Sequence, residues 1–156
     1  MNKLKSQYHN LHFKYFIVGV FLALGSVPLS GVAASCTVST VSINFGTYNV
    51  YTTTNTVSTG QVKVVCNPLT APYTVALNGG TYGTITQRKQ GSGSNTLLYN
   101  LYSDPARTVL WGDGSTNGTT VSSSSSTPLN VYGSIPALQN VSVGSYSDNV
   151  SVTVTF

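Results

Sequence analysis

Residues 150–156 read Val150-Ser151-Val152-Thr153-Val154-Thr155-Phe156, a strict alternation of apolar and hydroxyl side chains. A period of two is typical of a β-strand with one buried face, because successive side chains point to opposite sides of a sheet. β-Branched and aromatic residues also suit a pleated, half-buried surface. This stretch therefore predicts a strand with four apolar side chains on its inner face.

The same alternation recurs along the chain, and turn residues separate its occurrences. Three further segments show it clearly: Val41, Ile43 and Phe45; Val62, Val64 and Cys66; and Tyr73, Val75 and Leu77. Weaker strand signals lie at residues 97–102, 108–111 and 129–133, and residues 122–126 are predicted to form a polar serine loop. No stretch carries the apolar spacing of a helix. Many short strands between Gly, Asn and Pro turns predict a single all-β domain, either a sandwich or a barrel.

The charge of the chain argues against binding to nucleic acid. Only 6% of residues are charged, against roughly 25% in an average soluble domain. Three of the seven Lys and Arg residues precede residue 15, and beyond residue 34 four cations face three aspartates, which leaves a net charge of +1. Nucleic-acid binding requires a clustered basic stripe. The sequence has none, so we predict no nucleic-acid partner.

Residues 1–34 have the three parts of a secretory signal peptide. Three lysines and no acid come first, an apolar run from Tyr15 to Pro28 follows, and small residues come last. We predict cleavage after Ala34, which leaves residues 35–156 as the mature domain without a membrane span. A permanent membrane anchor and lipoprotein processing at Cys36 are the alternatives. The apolar run is short for a span of about 20 residues, and no large aliphatic residue stands three places before the cysteine.

Cys36 and Cys66 are the only cysteines of the chain. Disulfides persist in exported proteins, and each cysteine lies at the end of a predicted strand, so we predict a disulfide that joins the first strand to the second. A closed loop of about 30 residues would stabilise the fold by roughly 3–4 kcal/mol on chain-entropy grounds. A reactive thiol or a metal site is the alternative. Zinc, however, takes about four ligands, and both histidines, His9 and His12, leave with the signal.

The sequence offers little for catalysis, so we predict that the protein is not an enzyme and needs no cofactor or metal. Without histidine, a Ser-His-Asp or Cys-His arrangement cannot form in the mature chain. Asp104 and Asp113 are the best candidates for a glycosidase pair. Each precedes a turn residue, Pro105 or Gly114, which is typical of aspartates that hold turns. A small hydrolase is therefore the least favoured function.

A series of short motifs follows the first cysteine. In chain order they are Asn44-Phe45-Gly46-Thr47-Tyr48, Gly60–Cys66, Tyr73–Gly80, Arg88, Leu98–Asp104, Trp111-Gly112-Asp113-Gly114, Val131–Pro136, Gly144–Asp148 and Val150–Phe156. Each motif is weak by itself, but their order is fairly specific. With these motifs the whole mature chain resembles the spore coat protein U family of secreted bacterial proteins, which includes subunits of archaic chaperone–usher pili.

The resemblance implies an immunoglobulin-like, pilin-like β-sandwich that is incomplete because it lacks its final strand. Such families complete the fold by strand addition, first from a periplasmic chaperone and then, at an outer-membrane usher, from a neighbouring pilin subunit. An apolar, unpaired strand edge would otherwise be an aggregation hazard. The groove that accepts the strand, and that contacts the chaperone, is expected to contain apolar residues of the first and last strands: Val41, Ile43, Phe45, Val150, Val152, Val154 and Phe156.

The expected function is that of a secreted structural or adhesive subunit of a pilus or surface coat, on the surface of a Gram-negative bacterium. Polymerising members of the family carry an extension ahead of the first cysteine, whereas the predicted cleavage leaves only Ser35 there. A subunit that accepts a strand but donates none belongs at the tip of a fibre. The alternative is a free-standing coat or matrix protein, or a carbohydrate-binding module. In such a module, exposed Tyr48, Tyr51, Tyr82 or Trp111 would stack on sugars.

Overall fold

The computed structural model describes residues 35–68, 72–115 and 118–156, and the predicted signal peptide lies outside these residues. The regular secondary structure of the described residues consists of β-strands. They are β1 (Ser35–Val41), β2 (Thr56–Asn67), β3 (Tyr73–Leu77), β4 (Arg88–Ser92), β5 (Asn95–Tyr102), β6 (Val121–Ser123), β7 (Leu129–Ile135) and β8 (Val152–Thr155). The same residues include no helix with the length and hydropathy of a membrane span.

The strands form two sheets that enclose one hydrophobic core. The larger sheet has the order β1-β2-β7-β5-β4 and the smaller has the order β6-β3-β8. Every neighbouring pair of strands is antiparallel. Both sheets contribute to the buried core, which consists of Val62, Val64, Tyr73, Val75, Leu77, Leu97, Tyr99, Leu101, Trp111, Val131 and Ile135. The all-β sandwich that the sequence predicts is therefore the observed architecture.

Strands β2 and β3 show the predicted alternation. In β2, Val62 and Val64 are buried, whereas the residues that follow each of them, Lys63 and Val65, are exposed. Strand β3 lies in the middle of the smaller sheet, and its three predicted inward residues are at most 2% exposed. The period-two pattern therefore identifies both the strands and the faces that they bury.

Cys36 and Cys66 lie opposite each other in the antiparallel register of β1 and β2. Their Cα atoms are 4.0 Å apart, and a disulfide joins them. The predicted link between the first strand and the second is therefore present. It holds β1, the edge strand of the larger sheet, against β2.

The first strand ends earlier than the alternation predicts. Strand β1 stops at Val41, and the residues after it have no regular secondary structure. Two distant glycines explain the difference. A Cβ at Gly60 would lie 2.6 Å from Ile43 Cγ1, and a Cβ at Gly133 would lie 2.6 Å from Phe45 Cζ. Because both glycines are buried positions of β2 and β7, the two apolar side chains pack into the core there instead of extending the ladder.

Other differences arise from tertiary contacts that the local pattern does not show. The strand predicted at residues 108–111 is replaced by isolated bridges, from Leu110 to Tyr102 and from Trp111 to Thr119. The predicted serine loop overlaps strand β6, which forms by pairing with β3. The sequence also gives no signal for β4, because the segment Arg-Lys-Gln-Gly-Ser lacks apolar alternation. That strand forms by pairing with β5.

Candidate functional site

Strand β8 lies at the edge of the smaller sheet. It pairs antiparallel with β3, so that Val152 lies opposite Leu77 and Val154 lies opposite Val75. Among the described residues it has no second partner strand. Val152 and Val154 are half-buried against the core, whereas Thr153 between them is exposed. The strand therefore has the phase that the sequence predicts, although it is shorter than residues 150–156.

The backbone of β8 presents hydrogen-bonding groups to its unpaired edge. The Asn78 N–H donates to the Ser151 carbonyl at 3.2 Å, so these two residues form a hydrogen-bonded pair of the ladder. Hydrogen-bonded and non-hydrogen-bonded pairs alternate along an antiparallel ladder. The backbone groups of Thr153 are therefore directed toward β3. Those of Val152 and Val154 point to the open edge.

A groove with a volume of about 250 Å³ runs beside this edge, and we call it the edge groove. Residues between 148 and 152 line it on the β8 side, and residues between 40 and 45 line it on the β1 side. Between these two sides the lining comes from five residues of the apolar core and from two glutamines: Val62, Leu77, Tyr99, Leu101, Val131, Gln61 and Gln90. The edge groove therefore combines an apolar floor of core side chains with polar groups along its sides.

The structure brings five of the seven predicted groove residues to this cavity. Those five are Val41, Ile43, Phe45, Val150 and Val152. Val154 does not line the cavity and instead packs half-buried against the core, opposite Val75. Phe156 also lies outside the cavity, since β8 ends at Thr155 and 61% of the Phe156 surface is exposed.

Asp148 also lines the edge groove, a position that the alternation of the sequence does not predict. Its Oδ1 accepts hydrogen bonds from the N–H groups of Thr81 and Asn149, both at 2.8 Å, and its Oδ2 accepts one from the Tyr99 hydroxyl at 2.7 Å. Gly80, with a φ of +79°, makes room for the carboxylate, because a Cβ there would collide with it. Burial, together with the hydrogen bond to Asp148, raises the pKa of the Tyr99 hydroxyl above its ordinary value. The Gly-Gly pair in the sequence indicates a turn there, but it does not identify Asp148 as the residue that approaches it.

Arg88 in β4 is fully buried and joins the two sheets. Its Nε donates to the Asn78 carbonyl at 2.9 Å, its Nη1 to Asn100 Oδ1 at 2.8 Å and its Nη2 to the Trp111 carbonyl at 2.8 Å. Two further carbonyls accept longer hydrogen bonds from the guanidinium. Burial lowers the pKa of Arg88 below its ordinary value. Since all five acceptors are uncharged oxygens, this arginine is a structural clamp rather than part of a ligand site.

The structure excludes Trp111 from a role in stacking on sugars. Its side chain is fully buried, and its indole N–H donates to the Val75 carbonyl at 3.0 Å. Tyr48 is half-buried, and its hydroxyl is hydrogen-bonded within the protein. Tyr51 and Tyr82 are exposed, with 86% and 50% of their surfaces accessible. Among these aromatic residues, Tyr51 has the largest accessible ring.

The two aspartates considered as a catalytic pair hold turns. Asp104 accepts hydrogen bonds from the Val109 N–H at 2.8 Å and from Thr108, and Asp113 accepts one from the Ser115 N–H at 2.9 Å. The Val109 N–H, foremost, lowers the pKa of Asp104, and Ser115 lowers that of Asp113. A general acid requires a raised pKa instead. The described parts of the chain also contain no cluster of three or more metal-ligating side chains.

Comparison with known proteins adds a family and a related fold. Residues 25–153 match the Spore Coat Protein U domain. Protein U of Myxococcus xanthus is 31% identical, over 73% of this chain and 71% of Protein U. The solved complex of CsuC and CsuE, a chaperone–tip adhesion subunit pre-assembly complex from the archaic chaperone–usher Csu pili of Acinetobacter baumannii, matches with a TM-score of 0.55 and 23% identity. That match covers 80% of this chain but only 40% of the length of the chain in the solved complex.

The structural match agrees with the architecture described above. The sandwich has the immunoglobulin-like, pilin-like fold that the family resemblance implies, and a strand β8 with one partner among the described residues is consistent with the missing final strand. The family match begins at residue 25, which lies within the predicted signal peptide, and extends through both sheets to β8. These two sequence matches show that the chain belongs to the Spore Coat Protein U domain family.

Proposed function

We propose that this protein is a secreted structural or adhesive subunit of a chaperone–usher type pilus on the surface of a Gram-negative bacterium, and that it accepts a donated β-strand in the edge groove. The observation that carries the proposal is the unpaired edge of strand β8. Its backbone groups at Val152 and Val154 point to an unpaired edge, beside a groove that exposes side chains of the apolar core. The similarity to a subunit from a chaperone–subunit complex supports a periplasmic chaperone as the first partner.

A donated strand would satisfy two kinds of group at once. Its backbone would pair with Val152 and Val154, and its apolar side chains would cover the core residues that line the groove. If four or five large apolar side chains enter, burial at about 1.5–3 kcal/mol each gives roughly 6–15 kcal/mol before entropy costs. This range is comparable with the whole stability of a typical domain, about 5–15 kcal/mol. Occupancy of the groove would therefore decide whether the subunit survives in the periplasm until an outer-membrane usher transfers it to a neighbouring subunit.

Two charged substitutions in β8 test strand acceptance. We expect Val152→Asp to abolish the complex with an archaic-pilus chaperone that is co-expressed in the periplasm, because the carboxylate would be buried in the groove. Thr153→Asp is the matched control, since the neighbouring side chain is exposed on the opposite face of the same strand. The measurement is the yield of subunit that co-purifies with the chaperone. Equal losses for the two variants would contradict strand acceptance at this edge.

We also propose that the subunit occupies a terminal position in the fibre. This finer assignment depends on the predicted cleavage after Ala34, which leaves Ser35 as the only residue ahead of Cys36. Such a chain has a groove to fill but no extension with which to fill the next groove. The tip adhesion subunit in the matched solved complex is consistent with this position.

A grafted extension tests the terminal position. The mature protein should bind a peptide that copies a related subunit's N-terminal extension, but it should not polymerise by itself. Adding an alternating apolar segment of about 10–12 residues before Cys36 should cause self-polymerisation, seen as a ladder of oligomers in mild detergent without boiling. N-terminal sequencing should place the first residue near Ser35. A ladder formed by the unmodified protein would refute the terminal position, and cleavage well upstream of Ala34 would identify the retained residues as its donor strand.

A free-standing coat or matrix protein is the second candidate. The name of the family and the identity with Protein U favour it. In that case the purified protein should persist as a stable monomer without a chaperone. Co-purification of the wild-type protein with a chaperone would decide for the pilus subunit.

A further inference from the structure

A second cavity lies between residues 44–51 and residues 141–146, and we call it the loop pocket. Its volume is about 850 Å³, and it shares the side chains of Phe45 and Gln90 with the edge groove. Its lining combines amide, hydroxyl, tyrosine and aliphatic side chains and includes no charged residue. Pockets of roughly 300–1,000 Å³ with a few placed polar groups are the usual sites of small ligands.

Two asparagines of the loop pocket have oriented amide groups. Asn44 Oδ1 accepts the Gly46 N–H at 2.9 Å, and Asn49 Oδ1 accepts the Tyr51 N–H at 3.0 Å. Each carboxamide therefore uses its oxygen to hold a local turn. Neither Nδ2 group has a hydrogen-bond partner within the part of the chain that the structure describes. Two lining residues thus have amide donors that are available to a ligand, each on a carboxamide that its own turn holds in place.

Three tyrosines supply aromatic surface to the same pocket. The Tyr48 hydroxyl donates to the Pro136 carbonyl at 2.9 Å and accepts the Gln139 N–H at 2.7 Å, which fixes the position of this ring. The Tyr146 hydroxyl donates to a backbone carbonyl at 2.7 Å. Tyr51 is 86% exposed and is free to receive a ligand on its ring face.

We infer that the loop pocket binds a neutral saccharide. A sugar has hydroxyl groups that accept hydrogen bonds from amides, and its C–H faces pack on aromatic rings. An anionic ligand would require Lys or Arg in the lining, and a metal ion would require carboxylates. A purely apolar ligand would bury the amide donors without partners, which is unfavourable. This ligand class deepens the proposed adhesive role, but the binding does not depend on strand acceptance in the edge groove.

Glycan binding by the protein, in the form isolated from the periplasm, tests the inference. We expect an array of neutral and acidic glycans to show binding to neutral members, and titration calorimetry with the best of these to give the Kd of each variant. Asn49→Asp keeps an oxygen for the Tyr51 N–H but replaces the amide donor with a charge, so the Kd should rise at least about tenfold. Tyr51→Ala should raise the Kd about tenfold. Tyr82→Ala is the matched control, because Tyr82 is also exposed but lies outside the pocket.

Two outcomes would overturn the inference. One is an array without binding to any neutral glycan, and the other is a Kd for Asn49→Asp and Tyr51→Ala that equals the Kd of the Tyr82→Ala control. Asn44→Asp provides a second isosteric variant if Asn49→Asp does not fold. Binding of a donor-strand peptide is measured on the same samples. Loss of peptide binding with intact glycan binding would count against the proposed function alone, and the reverse result would count against the saccharide alone.

Discussion

Strands β3 and β8 pair with each other and share an apolar alternation, yet they differ in burial. Val75 of β3 is fully buried, whereas Val152 and Val154 of β8 remain half-buried. Strand β3 has β6 on its other side, where the Leu77 N–H also donates to the Gly112 carbonyl at 2.9 Å. Strand β8 has no second neighbour among the described residues. The burial of a strand is therefore set by its neighbours as much as by its own side chains.

The two strands also differ in the polar contacts that hold them. Arg88 and Trp111 donate from the core to carbonyls at and just beyond β3, the former to Asn78 and the latter to Val75. Beside β8, by contrast, the core side chains Leu77, Tyr99 and Leu101 line an open groove. The interior of the protein thus stabilises β3 by itself. The order of β8 should depend on a bound strand, since a ligand that binds only the folded state adds to its stability.

The largest effect on stability is expected from Arg88, whose buried side chain joins the two sheets next to β3. Arg88→Met should lower the free energy of unfolding by roughly 3–5 kcal/mol, because several buried oxygens lose a donor at about 1–3 kcal/mol each. Lys89→Met, at the next position of the same strand but only partly buried, should change it by less than about 1 kcal/mol. Urea denaturation of the purified variants measures both. Similar midpoints for the two variants would show that β3 does not depend on the clamp.

An intermediate effect is expected in the amide exchange of the two strands. The Val152 and Val154 N–H groups should exchange at least about tenfold faster than those of Thr153 and of β3, because they point to the open edge. A peptide that copies a related subunit's N-terminal extension should slow these two amides selectively. Hydrogen exchange followed by NMR resolves the individual residues. Uniform protection along β8, or exchange that the peptide leaves unchanged, would contradict the assigned orientation of the strand.

The sequence predicts what depends on local alternation. The inward faces of β2, β3 and β8 follow from a period of two, and the Cys36–Cys66 disulfide follows from export and from the ends of two predicted strands. The end of β1 could not be predicted in this way. It depends on Gly60 and Gly133, which lie in strands far along the chain and leave room for Ile43 and Phe45.

In the candidate site, too, the features set by local alternation were predictable and those set by distant residues were not. Five of the seven predicted residues line the edge groove, because the apolar phase of each segment is a local property. Phe156 has the correct phase but lies past the end of β8. Asp148 could not be placed, since its position depends on a distant turn at Gly80 and on the Tyr99 hydroxyl of β5. Pairing partners and close approaches of this kind are fixed by the assembled core, not by the neighbouring sequence.

The smallest effect is expected from a loop outside both strands. The Val109 N–H, followed by the groups of Thr108, holds the pKa of Asp104 below its ordinary value. The folded protein therefore favours the charged carboxylate. Its contribution to stability is fully present above the unfolded pKa, near 3.9, and is lost as the pH falls through the lower folded pKa. The contribution should be small because the carboxylate lies at the surface.

Thermal unfolding at pH 7 and at pH 3 measures this contribution. Between the two values of pH, the Tm of the wild-type protein should fall slightly more than that of Asp104→Asn, in which the amide oxygen still accepts the Val109 N–H but has no charge to lose. Because β8 carries no ionisable side chain, the exchange pattern of Val152 and Val154 should be the same in both proteins once intrinsic pH effects are subtracted. An equal fall in Tm for the two proteins would show that Asp104 holds its turn without preference for the charged form. A changed exchange pattern in Asp104→Asn would instead show that the loop around Asp104 affects the open edge of β8.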